Sequence, residues 1–236
     1  MNTHYTHPRK YTASVVEKKN LTPKVAWLRL YTNAPIPYQE GQYASLVIST
    51  ARRPLSFASA SGSPYIEFIA DTSPGGVCST YVQNLATNDT VELLAPYGRF
   101  TLTDADTHPL LFIATGTGIA PIRAQLQAEL ANQTTNPKAT TLIFGNQDEN
   151  HILFANELAE LAHQHSNFSF IPTLSAPSHA WQGTHGHVTQ VVPQLTKNLL
   201  AHHLYICGAP RMVTDMVGVL HAHHVPREHI HMEQFT

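Results

Sequence analysis

Charge is scarce in this sequence. Asp, Glu, Lys and Arg make up 13% of its 236 residues, about half the usual share. The net charge is −2, and a split near residue 107 leaves nine basic against eight acidic residues in the first part and five against eight in the second. Neither half has the basic excess that a nucleic acid partner requires. Cysteine is nearly missing: Cys78 and Cys207 are the only two. They exclude a disulfide framework and cannot supply the four thiolates of a typical iron–sulfur cluster. There is no run of about 20 apolar residues, so no membrane span is expected. The start, "MNTHYTHPRKYTASVV", lacks an apolar signal core. A reducing cytoplasm is therefore the expected compartment.

Histidine, by contrast, is abundant at sixteen. "HAHH" (His221 to His224) and "THGH" (His185, His187) draw the eye, but no Cys/His/carboxylate set has a recognised ligand spacing. These histidines read as exposed polar positions, and no metal is expected.

The chain has two rhythms. Across 11–106, "YTASVVE", "KVAWLRLYT", "QYASLVIST", "PYIEFIA" and "TVELLA" are short segments rich in β-branched and aromatic residues. Turn residues separate them, and one helix intervenes at "VCSTYVQNLA". This is the pattern of an antiparallel barrel or sandwich. From 108 onward the compact apolar runs "PLLFIA", "TTLIFG", "FSFIPTL" and "HLYICG" alternate with helical stripes: Ile122/Leu126/Leu130, Phe154/Leu158/Leu161, Val188 through Leu199, and Met212 through Leu220. Strand–helix alternation with buried strands predicts a parallel sheet covered on both faces. The change falls at "TDADTHP", residues 103–109.

Three glycine-containing turns suit anions. "ATGTGIAP" (Ala114 to Pro121) follows an apolar strand and opens a helix, so Thr115, Gly116, Thr117 and Gly118 offer backbone N–H groups and a helix N-terminus. "YICGAP" repeats the form with Cys207, Gly208, Ala209 and Pro210. Both turns are placed at the carboxyl ends of parallel strands, where open sheets bind ligands. "GGVCSTYV" (Gly75 to Val82) presents Gly76, Val77, Cys78 and Ser79 as a phosphate seat or as a plain helix cap. "RRPLSFAS" (Arg52 to Ser59) sets guanidinium groups against Pro54, Leu55 and Ser56.

In this order, "RPLS", "GVCS", "GTGIAP" and "CGAP" resemble the motifs of the ferredoxin–NADP⁺ reductase superfamily, over residues 10–236. The resemblance implies an FAD-binding antiparallel β-barrel with one helix over 8–104 and an NAD(P)-binding doubly wound α/β domain over 108–236. It implies that Arg53 pairs with the flavin phosphates and that Gly76, Val77, Cys78 and Ser79 seat a phosphate. Pro54 and Leu55 then line the flavin, and Ser56 meets the flavin N5 edge. Thr115–Gly118 would take the pyrophosphate of the nucleotide, and Cys207–Pro210 its nicotinamide. Leu55 stands where the family usually has Tyr, and some free-flavin reductases of the superfamily lack that Tyr too. The end, "MEQFT", resembles family C-termini: Glu233 is then a proton carrier and Phe235 a cover for the ring. Otherwise this end is a final strand and a frayed tail. The catalytic set so implied is Ser56, Cys207 and Glu233. Hydride passes from nicotinamide C4 to flavin N5, and the electrons go to a separate ferredoxin, oxygenase component or haem protein. The chain would act as a monomer. Free-flavin reduction and a non-enzymatic nucleotide-binding subunit are the alternatives. NADH is expected over NADPH, because "FGNQDENH" (Phe144 to His151) and "TLSAPSHAWQG" (Thr173 to Gly183) contain no Arg or Lys to meet a 2′-phosphate.

Overall fold

The computed structural model describes residues 7–73, 75–103, 108–132 and 137–234. Contacts divide the chain into one unit of Met1–Leu102 with Arg123–Glu129 and a second of Thr103–Ile122 with Leu130–Thr236.

The first unit is antiparallel. Its strands are β1 (Arg9–Thr22), β2 (Val25–Tyr31), β3 (Tyr43–Ile48), β4 (Ala51–Ser56), β5 (Tyr65–Asp71) and β6 (Thr90–Tyr97), with helix α1 (Val77–Asn84) between the last two. They pair in the order β4-β3-β6-β1-β2-β5. Just past β4, Phe57 bridges Phe68 of β5, so the two outer strands of the order meet and the sheet closes on itself. Alternation along the strands sends Ala13, Val15, Leu28, Leu30, Leu46, Ile66, Phe68, Val91 and Leu93 inward to one core.

β1 runs longer than its apolar pattern suggests. Lys18, Lys19 and Asn20 continue the ladder because they pair with Leu28, Trp27 and Ala26 of β2. β4 has no hydrophobic alternation of its own. It is a strand because its backbone pairs with β3, register Tyr43↔Ser56 through Ile48↔Ala51. Its place at the end of the strand order is also what tolerates Pro54. The segment after β4 is clamped. The buried Tyr38 hydroxyl donates to the carbonyls of Ser59 at 2.9 Å and Ala60 at 3.0 Å, and its ring stacks on Phe57 at 3.7 Å. Burial pushes the Tyr38 phenol well up, so it stays a donor. Glu67 of β5 accepts from the Trp27 indole at 3.1 Å and pairs with Arg123 at 2.6 Å.

The second unit is parallel. β7 (Leu110–Thr115), β8 (Thr140–Asn146), β9 (Phe168–Leu174), β10 (Thr184–His185), β11 (His203–Gly208) and β12 (Ile230–Gln234) alternate with α2 (Ile119–Ala131), α3 (Ala155–Gln164), α4 (Val188–Leu195) and α5 (Pro210–Ala222). The order is β10-β9-β8-β7-β11-β12, and every pair is parallel. The sequence direction reverses between β7 and β11, the switch point of a doubly wound sheet. Leu111, Ile113, Ile143, Leu204 and Ile206 share a core with α4 and α5 through Val188, Val192, Val213, Met216 and Leu220. Phe112, Phe144 and Tyr205 point to the other face and are equally buried, so both faces are covered as the continuous apolar strands require. Phe154 falls outside its expected helical stripe: at φ +56° it is the left-handed residue before α3. No helix among the described residues is long and apolar enough to cross a membrane.

Candidate active site

In the first unit, strand alternation splits the β4 motif over two faces. Arg53 and Leu55 lie on one. Leu55 packs on the barrel core, as do Cys78 and Tyr81, while Arg53 is exposed and donates to the Arg52 carbonyl at 2.9 Å. Pro54 and Ser56 lie on the other. Ser56, 5% exposed, is the register partner of Tyr43, whose ring stacks on Tyr97 at 5.5 Å. Gly98 makes room for this, since a Cβ there would stand 3.0 Å from the Tyr43 ring. The Tyr43–Tyr97 pair was not visible in the sequence, because it arises from the β3–β6 pairing.

Gly75, at φ +104°, turns the chain into α1, whose N-cap is Gly76. Ser79 is not an open phosphate donor here. Its hydroxyl donates to the Gly76 carbonyl at 2.8 Å and accepts from the Gly76 N–H at 3.2 Å, and the side chain is buried. The groups left open are backbone: the first-turn N–H groups, which have no acceptor within the helix, flanked by an exposed Val77. Arg53 is close enough to affect this turn. Burial raises the Cys78 thiol pKa, and the Arg53 charge partly offsets it. A cation whose charge acts on a turn of open amides suits an anion.

In the second unit, the two glycine turns are pressed together at the carboxyl ends of β7 and β11, which pair Ala114 with Cys207. A Cβ on Gly118 would stand 2.3 Å from the Cys207 carbonyl oxygen and 2.6 Å from the Gly208 Cα. At Gly208, φ +155°, a Cβ would stand 2.2 Å from the Thr115 hydroxyl and 3.1 Å from its carbonyl oxygen, and the Ala209 N–H donates to that hydroxyl at 3.4 Å. Gly116, at φ +53°, is exposed with open space around it, as are Ala209 and Pro210 at the start of α5. Pro210 occupies the first helical turn, where its missing donor costs little. Thr117 completes the turn before α2.

Cys207 is fully buried. Burial first, then the nearby Glu233 carboxylate, pushes its thiol well up, so it is a neutral thiol at physiological pH. Glu233 sits beside it as its register partner in β12. Phe235 lies outside the described residues. The chain forms a paired strand through Gln234, which fits both expectations for this end. It also carries Glu233 to the edge where the glycine turns lie.

The two thiols give a direct readout. Reaction of the folded protein with iodoacetamide at pH 8 is expected to modify Cys78 and leave Cys207 untouched, because only a thiolate attacks. Arg53→Ala is expected to slow Cys78 modification by about 1.5- to 5-fold, the range for a partly exposed charge pair. Mass mapping after timed quenching checks both; an unchanged Cys78 rate would separate Arg53 from α1.

A closed antiparallel sheet with a cationic helix start, followed by a doubly wound sheet with paired glycine turns, defines a two-domain flavin and nicotinamide nucleotide protein. Comparison with known proteins agrees. An oxidoreductase FAD-binding domain matches residues 12–102, and an oxidoreductase NAD-binding domain matches residues 112–218. Ferredoxin–NADP reductase B of Sorangium cellulosum is 32% identical over 84% of this chain and 85% of that protein. Phenol hydroxylase P5 protein of Acinetobacter pittii is 30% identical over 95% of this chain, which spans 65% of that longer protein. Among solved structures, an Amycolatopsis cytochrome P450 reductase superposes with a TM-score of 0.91 at 28% identity, over 98% of this chain and 71% of that one. The chain belongs to the ferredoxin–NADP⁺ reductase-like superfamily. It is an NAD(P)H-dependent flavoprotein oxidoreductase that uses FAD, which sets aside a non-enzymatic binding subunit.

Proposed function

We propose that this enzyme takes hydride from NADH and delivers the electrons to a separate protein, a ferredoxin or an oxygenase component. The observation that carries the reading is the pair of glycine turns, Thr115–Gly118 against Cys207–Pro210, held at one sheet edge by backbone contacts that no side chain would permit. Such a surface suits the pyrophosphate and nicotinamide of one extended dinucleotide. Bound FAD supplies hydride acceptance and one-electron release; binding, orientation and proton supply fall to side chains. Arg53 and the first-turn amides at Gly76–Ser79 hold the flavin diphosphate. Pro54 and Leu55 line the ring, and Ser56 gives its N5 edge one directed hydrogen bond. Cys207, as a neutral thiol, shapes the nicotinamide seat without acting as a nucleophile, and Glu233 carries a proton to the same edge. The names of the similar proteins, a ferredoxin reductase and a phenol hydroxylase component, support a protein acceptor; the similarity to a cytochrome P450 reductase supports a haem protein as a third kind. With two cysteines the chain holds no iron–sulfur cluster of its own. The same reading takes the chain as a cytoplasmic monomer.

Anaerobic reduction by NADH, followed by a screen of ferredoxin, haem-protein and free-flavin acceptors, tests the reading. A strong preference for free flavin would favour flavin reductase activity instead. Leu55, an aliphatic side chain where an aromatic stack is usual, is the residue that favours that second reading, and a protein purified without yellow colour would fit it. Ser56→Ala is expected to keep FAD bound and to slow single-turnover reduction about 2- to 13-fold, since a neutral hydrogen bond is worth about 0.5–1.5 kcal/mol. An unchanged rate would remove Ser56 from the site.

Nucleotide choice rests on the loops after β8 and β9. Glu149 accepts from the Ser178 hydroxyl at 2.5 Å and the Ser178 N–H at 3.1 Å, tying the two loops together. Asp148 accepts from the Asn150 N–H at 2.9 Å and from His151 at 2.7 Å. The His151 hydrogen bond holds the Asp148 carboxyl below the usual range, and the Ser178 bond does the same for Glu149. Both stay ionised at neutral pH, suiting a ribose 2′-hydroxyl and repelling a 2′-phosphate. We expect kcat/KM for NADH to exceed that for NADPH at least about tenfold. An advantage for NADPH would place the adenine ribose on other loops.

A further inference from the structure

Past Ser56 the chain leaves β4, and side chains take over from the ladder. Phe57, Ala58 and Ser59 are all buried, so their backbone groups need partners. The Ala58 N–H reaches the Glu67 carbonyl at 2.8 Å, and the Ala58 carbonyl accepts from the Arg123 guanidinium at 2.5 Å. The Ser59 and Ala60 carbonyls take the Tyr38 hydroxyl, and the Ala60 N–H donates to Gln127 Oε1 at 3.0 Å. Arg123 and Gln127 lie in the stretch Arg123–Glu129 of α2, which belongs to the first unit. Their i, i+4 spacing puts them on one helix face.

Arg123 is 6% exposed. The nitrogen that holds the Ala58 carbonyl also meets Glu67 Oε2 at 2.6 Å, and the same oxygen accepts from the Trp27 indole at 3.1 Å. The Glu67 N–H donates to the Ser59 hydroxyl at 3.1 Å, so the carboxylate and the segment are tied from both sides. A buried ion pair is a costly way to fill space, since apolar residues of the same volume often serve stability as well or better. What it supplies here is direction: one guanidinium locks a carbonyl just beyond Ser56 against a carboxylate that is itself held.

We propose that Arg123 is a positioning residue for Ser56. It acts through the Ala58 carbonyl and Glu67, which set where β4 ends and where the Ser56 hydroxyl points. The inference rests on the reading of Ser56 as the hydrogen-bond partner of the flavin N5 edge. Hydrogen bonds weaken steeply with distance and angle, so a shifted Ser56 forfeits what a deleted hydroxyl forfeits.

The test is rapid anaerobic reduction of the FAD-loaded protein at rising NADH concentration, for the parent, Arg123→Met, Ser56→Ala and the double variant. Arg123→Met is expected to slow the limiting reduction rate about 2- to 13-fold, the range for one neutral hydrogen bond. The NADH concentration for half-maximal rate should stay within about twofold of the parent, because a loss confined to the reacting edge leaves nucleotide binding alone. In the Ser56→Ala background the same change should slow reduction less than about 1.5-fold, since two residues acting through one bond do not add. Arg123→Lys, which keeps a cation beside Glu67 but lacks the guanidinium fork, should recover part of the rate. An unchanged limiting rate in Arg123→Met, or an equal loss with and without the Ser56 hydroxyl, would overturn the inference and leave Ser56 in its place. A parent-like rate in Ser56→Ala would remove Ser56 from the site and take the inference with it. If Arg123→Met does not fold, Arg123→Met combined with Glu67→Gln, which leaves no buried charge unpaired, goes through the same cycle and is judged in the same way.

Discussion

Gly118→Ala is expected to lower kcat/KM for NADH about a hundredfold, while Gly116→Ala, two residues away, costs less than about tenfold. The difference is steric. A Cβ at 118 would meet the Cys207 carbonyl oxygen at 2.3 Å and its carbon at 2.5 Å, all backbone of the neighbouring strand, with no side chain to rotate aside. The turn has to withdraw by roughly 1 Å, and a misplacement of that size in a positioning element costs about two orders of magnitude. Overpacking of this kind also destabilises the fold by about 1–3 kcal/mol. At 116 nothing lies within 4 Å, and φ +53° is within the left-handed region that other residues occupy at modest cost. Gly218→Ala, inside α5 with open space around it, serves as a control and should raise stability by about 0.5–1 kcal/mol. Steady-state kinetics and thermal unfolding of the three variants separate the effects. Parent-like kcat/KM in Gly118→Ala would remove the paired turns from the nucleotide site.

Arg53→Ala is expected to weaken FAD binding about 10- to 150-fold, the loss of a charge-assisted phosphate contact worth about 1.5–3 kcal/mol. Arg53 stands exposed on the outer strand β4, and its charge lowers the Cys78 thiol pKa against the rise from burial. Arg52, equally exposed, alternates to the opposite face, so Arg52→Ala should bind FAD within about threefold of the parent, a change below 1 kcal/mol. Arg53→Lys should recover only part of the affinity, because an ammonium lacks the planar fork that grips two phosphate oxygens. Fluorescence titration of the apoprotein with FAD measures all three. Equal affinity in Arg53→Ala would mean that the diphosphate is held by the α1 amides alone.

Much of the fold was legible in the sequence because its signals are local. The β-branched alternation of "KVAWLRLYT" and the apolar run "HLYICG" each identify a strand without help from a partner, as do the stripes of α4 and α5. The glycines at 116, 118 and 208 were legible as turns for the same reason. What escaped depends on a partner. β4 reads as a polar Arg-Arg-Pro run, and only pairing with β3 makes it a strand. β12, "IHMEQ", has no alternation, so the sequence offered a final strand only as one of two readings; the parallel register to β11 makes it one. The close approach of Gly118 to Cys207 and the Tyr43–Tyr97 stack both join residues distant in sequence. At Ser79 the sequence left a phosphate seat and a plain helix cap both open, and the shortest partner of the hydroxyl is the Gly76 backbone three residues back.

The most direct measurement is rapid anaerobic mixing of the FAD-loaded protein with NADH while the visible flavin absorbance is followed. The account predicts complete bleaching in a single turnover by one equivalent of NADH, slower bleaching by NADPH, and recovery of the absorbance when a ferredoxin, oxygenase component or haem-protein acceptor is added. Bound flavin that keeps its absorbance with both nucleotides would contradict it.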